Sequence, residues 1–204
     1  MEKKKSSYVL PLIVILAVLL FDQATKFWVK LNMEISEEIP VFDDWFIIHF
    51  TENNGMAFGL EIAGEYGKLI LSVFRIVAVT LIGWYLFSLP KKGASKSLMI
   101  SGALIFAGAL GNIIDSTLYG VIFNDSYYQV ATLFPEGGGY SAPLFGRVVD
   151  MLYFPLYEGF LPDWIPIWGG DYFIFFRPVF NIADSAISCG VASVLLFNRS
   201  FFKE

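Results

Sequence analysis

With a single cysteine, Cys189, the chain can form no intrachain disulfide, and its cysteine content is silent on redox compartment. Cys189 is read as a small packing residue. His49 is equally solitary. A zinc site draws several ligands from His and Cys, and no H-E-x-x-H occurs, so no metal and no other cofactor is expected. Charge is scarce too: Asp, Glu, Lys and Arg make up 16% of the chain, and the formal net charge is -5. Nucleic acid is an unsuited partner, because binding a polyanion takes a concentrated basic patch. There is no Pro/Gly/Ser-rich linker, internal repeat or low-complexity tract, so residues 1–204 are read as one domain. The Gly137-Gly138-Gly139 run is expected to be a flexible point.

Apolar side chains are abundant: 56% of the residues are hydrophobic, and the mean hydropathy is +0.61. That is too apolar for an ordinary soluble domain. Four stretches, approximately 8–29, 68–89, 97–115 and 179–197, are each long enough to cross a hydrocarbon layer of roughly 30 Å as a helix. The first follows Lys3, Lys4 and Lys5 and runs into Asp22-Gln23-Ala24-Thr25-Lys26 without a small-x-small cleavage site, so it reads as a retained anchor. Basic residues crowd the N-terminus, the turn around Lys91, Lys92 and Lys96, and the C-terminus with Arg199 and Lys203. Loops 30–67 and 116–178 carry only Lys30, Arg147 and Arg177. This asymmetry predicts both termini in the cytoplasm and both long loops outside.

Within loop 30–67, Trp45 to Thr51 is β-prone and Asn53-Asn54-Gly55 is a turn signal, which predicts a small extracytoplasmic β-sheet. His49 is placed in this loop. Residues 153–177 interleave Pro and Gly with Trp164, Trp168, Tyr172, Phe173, Phe175 and Phe176, as a segment resting in the headgroup region does. The fold class is therefore an all-α membrane protein of four transmembrane helices, with a small sheet and an interfacial segment.

Ionisable groups inside a span cost free energy and need a partner, a wet cavity or a task. Counted from the inner ends of their spans, Asp22, Arg75, Asn112 and Asp184 all lie at roughly 21 Å along their helices. One such residue is compatible with a mere buried ion pair; four at a common level indicate a shared polar cavity. Asp22 and Lys26 stand at i and i+4 on one helix face and are read as a salt bridge that scaffolds the site.

Several segments, taken in order, resemble the lipoprotein signal peptidases, the type II signal peptidases. Asp22-Gln23-Ala24-Thr25-Lys26 matches that family's D-x-x-x-K, and Asn53-Asn54-Gly55-Met56-Ala57-Phe58 its N-x-G-A-A-F with Met at one alanine. Gly108 to Asp115, then Gly146-Arg147-Val148-Val149-Asp150 (G-x-V-x-D) and Phe180-Asn181-Ile182-Ala183-Asp184 (F-N-x-A-D) complete the series. In two places the chain departs from the pattern. Ser116 stands where the family has Arg, and residues 117–145 are inserted before G-x-V-x-D. Asp125 lies closer in sequence to the third motif, but Asn124 occupies the register that requires an aspartate, so Asp150 is preferred.

The resemblance implies an intramembrane aspartic endopeptidase of the bacterial inner membrane, with its site toward the outer leaflet and Asp150 and Asp184 as the catalytic pair. It implies prolipoprotein substrates whose lipobox cysteine carries diacylglycerol, cleaved just before that cysteine, and inhibition by globomycin. The protein is expected to work as a monomer among membrane lipids. Asn112 and Asn181 are assigned to orienting the carboxylates, Asn53 with Gly55 to holding substrate backbone from the loop, and Asp115 to organising the site. Arg75 either supplies the charge that Ser116 lacks or reaches toward the outer headgroups. The rival class is a proton-coupled or ion transporter using the same buried carboxylates.

Overall fold

A computed structural model of the chain describes residues 7–43, 45–54, 64–175 and 178–198. Lys3 to Lys5, Gly55 to Phe58, Phe176, Arg177, Arg199 and Lys203, all used in reading the sequence, lie outside the described residues.

Long helices form where the apolar stretches predict them: α1 (Val9–Asn32), α2 (Gly64–Ser88) and α3 (Lys96–Ile114). A π-helical turn (Asp115–Tyr119) and a short α4 (Gly120–Ile122) prolong α3. Among the described residues, three helices, Val9–Asn32, Gly67–Ser88 and Lys96–Ile122, are long and apolar enough to cross a membrane. The last helix, α5 (Ile182–Phe197), is apolar but has only 16 residues, so it begins later than the expected span at 179. The delay has a local cause. Phe180 pairs its backbone with Leu152, and Asn181 caps the helix, accepting from the Asp184 amide at 2.9 Å.

α3 is central and packs against α1, α2 and α5. Glycine permits the approach: a Cβ on Gly108 would lie 2.2 Å from the Ala183 carbonyl oxygen, and one on Gly111 would lie 2.7 Å from Asp22 Oδ2. The outer faces of α1, α2 and α5 expose Leu16, Leu20, Phe74, Leu81, Trp84, Leu195 and Phe197, as lipid-facing surfaces do.

Beyond the helices, β1 (Glu38–Phe42), β2 (Phe46–Asn53) and β3 (Val148–Tyr153) form an antiparallel sheet in the order β1-β2-β3. β1 is the exposed edge strand, which is where Pro40 can be accommodated. His49 lies in β2, within the β-prone run of the loop between α1 and α2, and pairs with Glu38. Thr51 opposes Asp150 across the ladder, and Glu52 opposes Val149. Residues 153–175 hold more regular structure than the composition suggests: β4 (Tyr157–Phe160) and β5 (Tyr172–Phe175) form a separate hairpin. Its exposed Phe160, Trp164 and Trp168 keep the surface aromatic.

One other expectation is corrected. Cys189 is exposed on α5 and does not fill the core. Gly138 turns the chain with φ +84°, and a Cβ on Gly139 would sit 2.2 Å from the Gly120 carbonyl oxygen. Of the glycine run, Gly139 is the member packed closely, with room only for hydrogen against α4, while Gly137 and Gly138 stand in open space.

Two apolar clusters bracket the polar layer. Val29, Met33, Phe50, Tyr119, Phe123, Val149 and Met151 join the sheet to the helix ends. Ile15, Leu86, Leu89, Met99, Ala103 and Ala107 fill the bundle toward the opposite end.

Candidate active site

Between those clusters α1 contributes Asp22, Gln23 and Lys26, α3 contributes Asn112, and the π-turn contributes Asp115; Asp22, Lys26 and Asp115 are fully buried. The i, i+4 spacing brings Lys26 Nζ to 2.9 Å from Asp22 Oδ2, as the sequence predicts, and Asp115 Oδ2 lies 2.8 Å from the same nitrogen. One ammonium thus holds two carboxylates, and it also donates to Asn112 Oδ1 at 3.0 Å. Gln23 Nε2 closes the group by donating to Asp22 Oδ2 and Asp115 Oδ1, each at 3.0 Å. Tyr119, from the π-turn, donates its hydroxyl to Gln23 Oε1 at 3.1 Å.

The same two carboxylates also reach outward to the elements that carry the aspartate pair. Asp22 Oδ1 accepts from the Ala183 amide at 2.9 Å, satisfying a free N–H at the start of α5. Asp115 Oδ2 accepts from the Val149 amide at 3.3 Å and so fixes β3 one residue before Asp150. Buried ion clusters of this kind add little net stability, but removing one partner is costly because it leaves an uncompensated buried charge.

Asp150 and Asp184 are joined through two asparagines. Asn181 Nδ2 donates to Asp150 Oδ1 at 2.7 Å and to Asn112 Oδ1 at 3.1 Å. Asn112 Nδ2 donates to Asp184 Oδ1 at 2.8 Å. A carboxamide can both donate and accept without charge, which suits it to link two acids. Asp184 also closes a capping box with Asn181, its Oδ2 accepting from the Asn181 amide at 3.4 Å. The side chain of Asn53, read as a substrate contact, hydrogen-bonds Asp150 from the end of β2. Burial, and next the charge of Asp184, push the Asp150 carboxyl up to about 7.

Arg75, on α2, acts electrostatically on Asp184, Asp150 and Asp115. Ser116 is buried and donates to the Asn112 carbonyl at 3.0 Å, a local helical bond. Asp125, the sequence-adjacent alternative to Asp150, lies elsewhere and takes a bidentate contact from Arg147, with Nη1 at 3.2 Å and Nη2 at 3.1 Å.

Residues that the sequence reading passed over form a second buried cluster beside the first. Lys30 ion-pairs with Glu52, and Arg147 Nη1 donates to Glu52 Oε2 at 2.7 Å. Spacing could have revealed Lys30, since Asp22, Lys26 and Lys30 form an i, i+4, i+8 stripe on one face of α1. Nothing local in the sequence marks Glu52, whose partners are remote along the chain.

Apolar helices around a buried layer of acids, amides and one shared ammonium, roofed by a small sheet, define a helical membrane protein with its ionisable groups gathered beneath one face. A family model described as signal peptidase (SPase) II matches residues 14–201, and the chain belongs to that peptidase family. A lipoprotein signal peptidase of Porphyromonas gingivalis is 51% identical over 183 residues, covering 89% of this chain and 79% of the relative. One from Amoebophilus asiaticus is 39% identical over 195 residues, covering 94% and 78%. A solved structure described as a bacterial membrane enzyme shares the fold with a TM-score of 0.60 at 26% identity, covering 96% of each chain.

Proposed function

We propose that this chain is an aspartic endopeptidase that removes the signal peptide from diacylglyceryl-modified prolipoproteins, cutting just before the lipidated cysteine, with Asp150 and Asp184 as the catalytic pair. The observation that carries the reading is the amide bridge Asp150–Asn181–Asn112–Asp184, which couples two carboxyl groups from separate elements in one layer.

Hydrolysing an amide without a covalent nucleophile takes a base to activate water and an acid to protonate the departing amine. Two like charges cannot both ionise cheaply in a low-dielectric pocket, so the pair shares one proton. The raised carboxyl of Asp150 makes it the group that holds this proton. Asp184 is then the base: it takes a proton from water as the oxygen attacks the scissile carbonyl, while Asp150 donates to the carbonyl oxygen. Collapse of the tetrahedral intermediate breaks the C–N bond: Asp184 passes the proton it took from water to the departing amine, and Asp150 recovers its proton as the carbonyl re-forms. Asn53, Asn112 and Asn181 hold the acids in place, the Asp22–Lys26–Asp115 group fixes the backbone that carries them, and Arg75 offsets the local negative charge.

The substrate geometry agrees with this placement. A signal helix spanning the bilayer and a lipid chain buried in the outer leaflet present the scissile bond near the outer interface, where the polar layer lies if both termini are cytoplasmic. In this reading α5 is the fourth span of a single working unit in the bacterial inner membrane, and its ~24 Å are completed by the extended residues that precede it.

The reading is tested by incubating purified protein with one precursor in diacylglyceryl-modified and unmodified forms. The modified form should be cut to a product beginning at the lipidated cysteine, with the unmodified form cut far more slowly. Equal cutting of both, or ion flux from reconstituted protein without proteolysis, would overturn it.

A further inference from the structure

The second buried cluster lies outside the amide bridge, and the inserted segment 117–145 encloses it. Lys30 and Glu52 have side chains at 0% and 1% exposure. Lys30 Nζ also donates to Ser126 Oγ at 2.7 Å and stands over the rings of Phe123 and Tyr140 at 5.3 and 5.1 Å. The Arg147 guanidinium is sandwiched between Tyr127 at 5.0 Å and Tyr140 at 4.7 Å, and the Arg147 amide donates to the Tyr140 hydroxyl at 2.7 Å. Phe123, Asp125, Ser126, Tyr127 and Tyr140 all belong to the insertion.

Glu52 is the hub. Its two carboxylate oxygens take the Lys30 ammonium from α1 and the Arg147 guanidinium from the approach to β3. It also sits opposite Val149 in the ladder, immediately before Asn53. A one-residue slip of β2 against β3 would turn every side chain to the other face. In this cluster such a slip would strand the buried charges of Lys30 and Glu52 and part Glu52 from the half-buried Arg147, a penalty that selects one register.

We propose that Glu52, clamped by Lys30 and Arg147 inside a cage built by residues 117–145, is a positioning residue that sets the β2–β3 register and so holds Asn53 against Asp150. This rests on the reading of Asp150 as catalytic. The insertion thereby has a task, since it supplies the aromatic walls, the Ser126 contact to Lys30 and the Asp125 carboxylate that balances the charge of Arg147.

The test is a double-mutant cycle between Glu52→Gln and Asn53→Ala, with cleavage of a diacylglyceryl-modified precursor as the readout and thermal unfolding as the fold control. Glu52→Gln should lower kcat roughly 10- to 100-fold with KM little changed, as a misplaced catalytic group does. Combined with Asn53→Ala it should add almost nothing, because both act through one contact. Should Glu52→Gln fail to fold, the Lys30→Met/Glu52→Gln pair, which removes both buried charges together, takes its place in the same cycle. Additive losses, or full kcat in a folded Glu52 variant, would overturn the inference. Asp150→Asn is run alongside. If it is inactive while Glu52→Gln is fully active, only the positioning role falls; if it is active, the catalytic reading falls with it.

Discussion

Asn181 donates its side-chain amide to Asp150 at 2.7 Å while its oxygen caps the helix that carries Asp184. A single residue thus fixes one acid directly and the other through the start of α5. Four constraints meet in its side chain: the cap, the Asp150 contact, the bond to Asn112 and the bond to the Val149 carbonyl.

The two tasks of Asn181 separate by substitution. Asn181→Ser keeps a hydroxyl that caps α5 but cannot reach Asp150, so activity should fall at least about 100-fold with melting temperature nearly unchanged. Asn181→Ala loses both and should also lose about 1 kcal/mol of stability. Cleavage kinetics and thermal melts in detergent make the comparison, and equal activity in Asn181→Ser and the native protein would contradict the orienting role.

The elevated carboxyl of Asp150, about 7 in the fold, sets the sign of a pH effect. Between about pH 4 and pH 7 the folded state keeps a proton that the unfolded chain has released, so this group makes stability fall as pH rises through that window. Asp150→Asn removes the penalty. Melting temperatures should show the variant several degrees above the native protein near pH 8 and little different near pH 5. Activity should decline above about pH 7 as the proton is lost. A variant with the same stability offset at both pH values would contradict the assignment.

Lys26 is the counter-ion for Asp22 and Asp115 with no exposure on any partner. Lys26→Met leaves two buried carboxylates without their cation and should destabilise by about 3–5 kcal/mol. Adding Asp115→Asn should recover part of that loss, which denaturation in detergent would register as a positive coupling between the two sites.

Close helix approach makes a packing prediction. Gly108→Ala places a methyl against the Ala183 backbone oxygen at 2.2 Å, which cannot rotate away, whereas Gly111→Ala meets the Asp22 side chain at 2.7 Å. The first should cost about 1–3 kcal/mol or more by separating α3 from α5. The second should cost less stability but more activity, since it displaces a carboxylate that holds the Ala183 amide. Parallel melts and cleavage assays would distinguish the two.

Much of this was legible from the residues because the bilayer imposes simple rules. Length and hydropathy placed α1, α2 and α3, and the common depth of Asp22, Asn112 and Asp184 anticipated a polar layer that the bonds around Lys26 and Asn112 now join. What escaped notice depends on long-range pairing. Glu52 reads locally as one more loop acid, and only β2–β3 pairing together with the folded insertion makes it a buried hub. The hairpin β4–β5 was equally hidden, because its aromatic strands show the composition of an interfacial segment and no clear alternation. The shortened start of α5 follows from a backbone pairing between Phe180 and Leu152 that no local periodicity encodes.

The shared-proton chemistry of Asp150 and Asp184 is tested most directly by replacing each with Asn and following cleavage of a diacylglyceryl-modified prolipoprotein by enzyme shown to be folded. Each variant should lose at least about 1000-fold in kcat, because neither acid can do the other's work. Native-level cleavage by either folded variant would contradict the account.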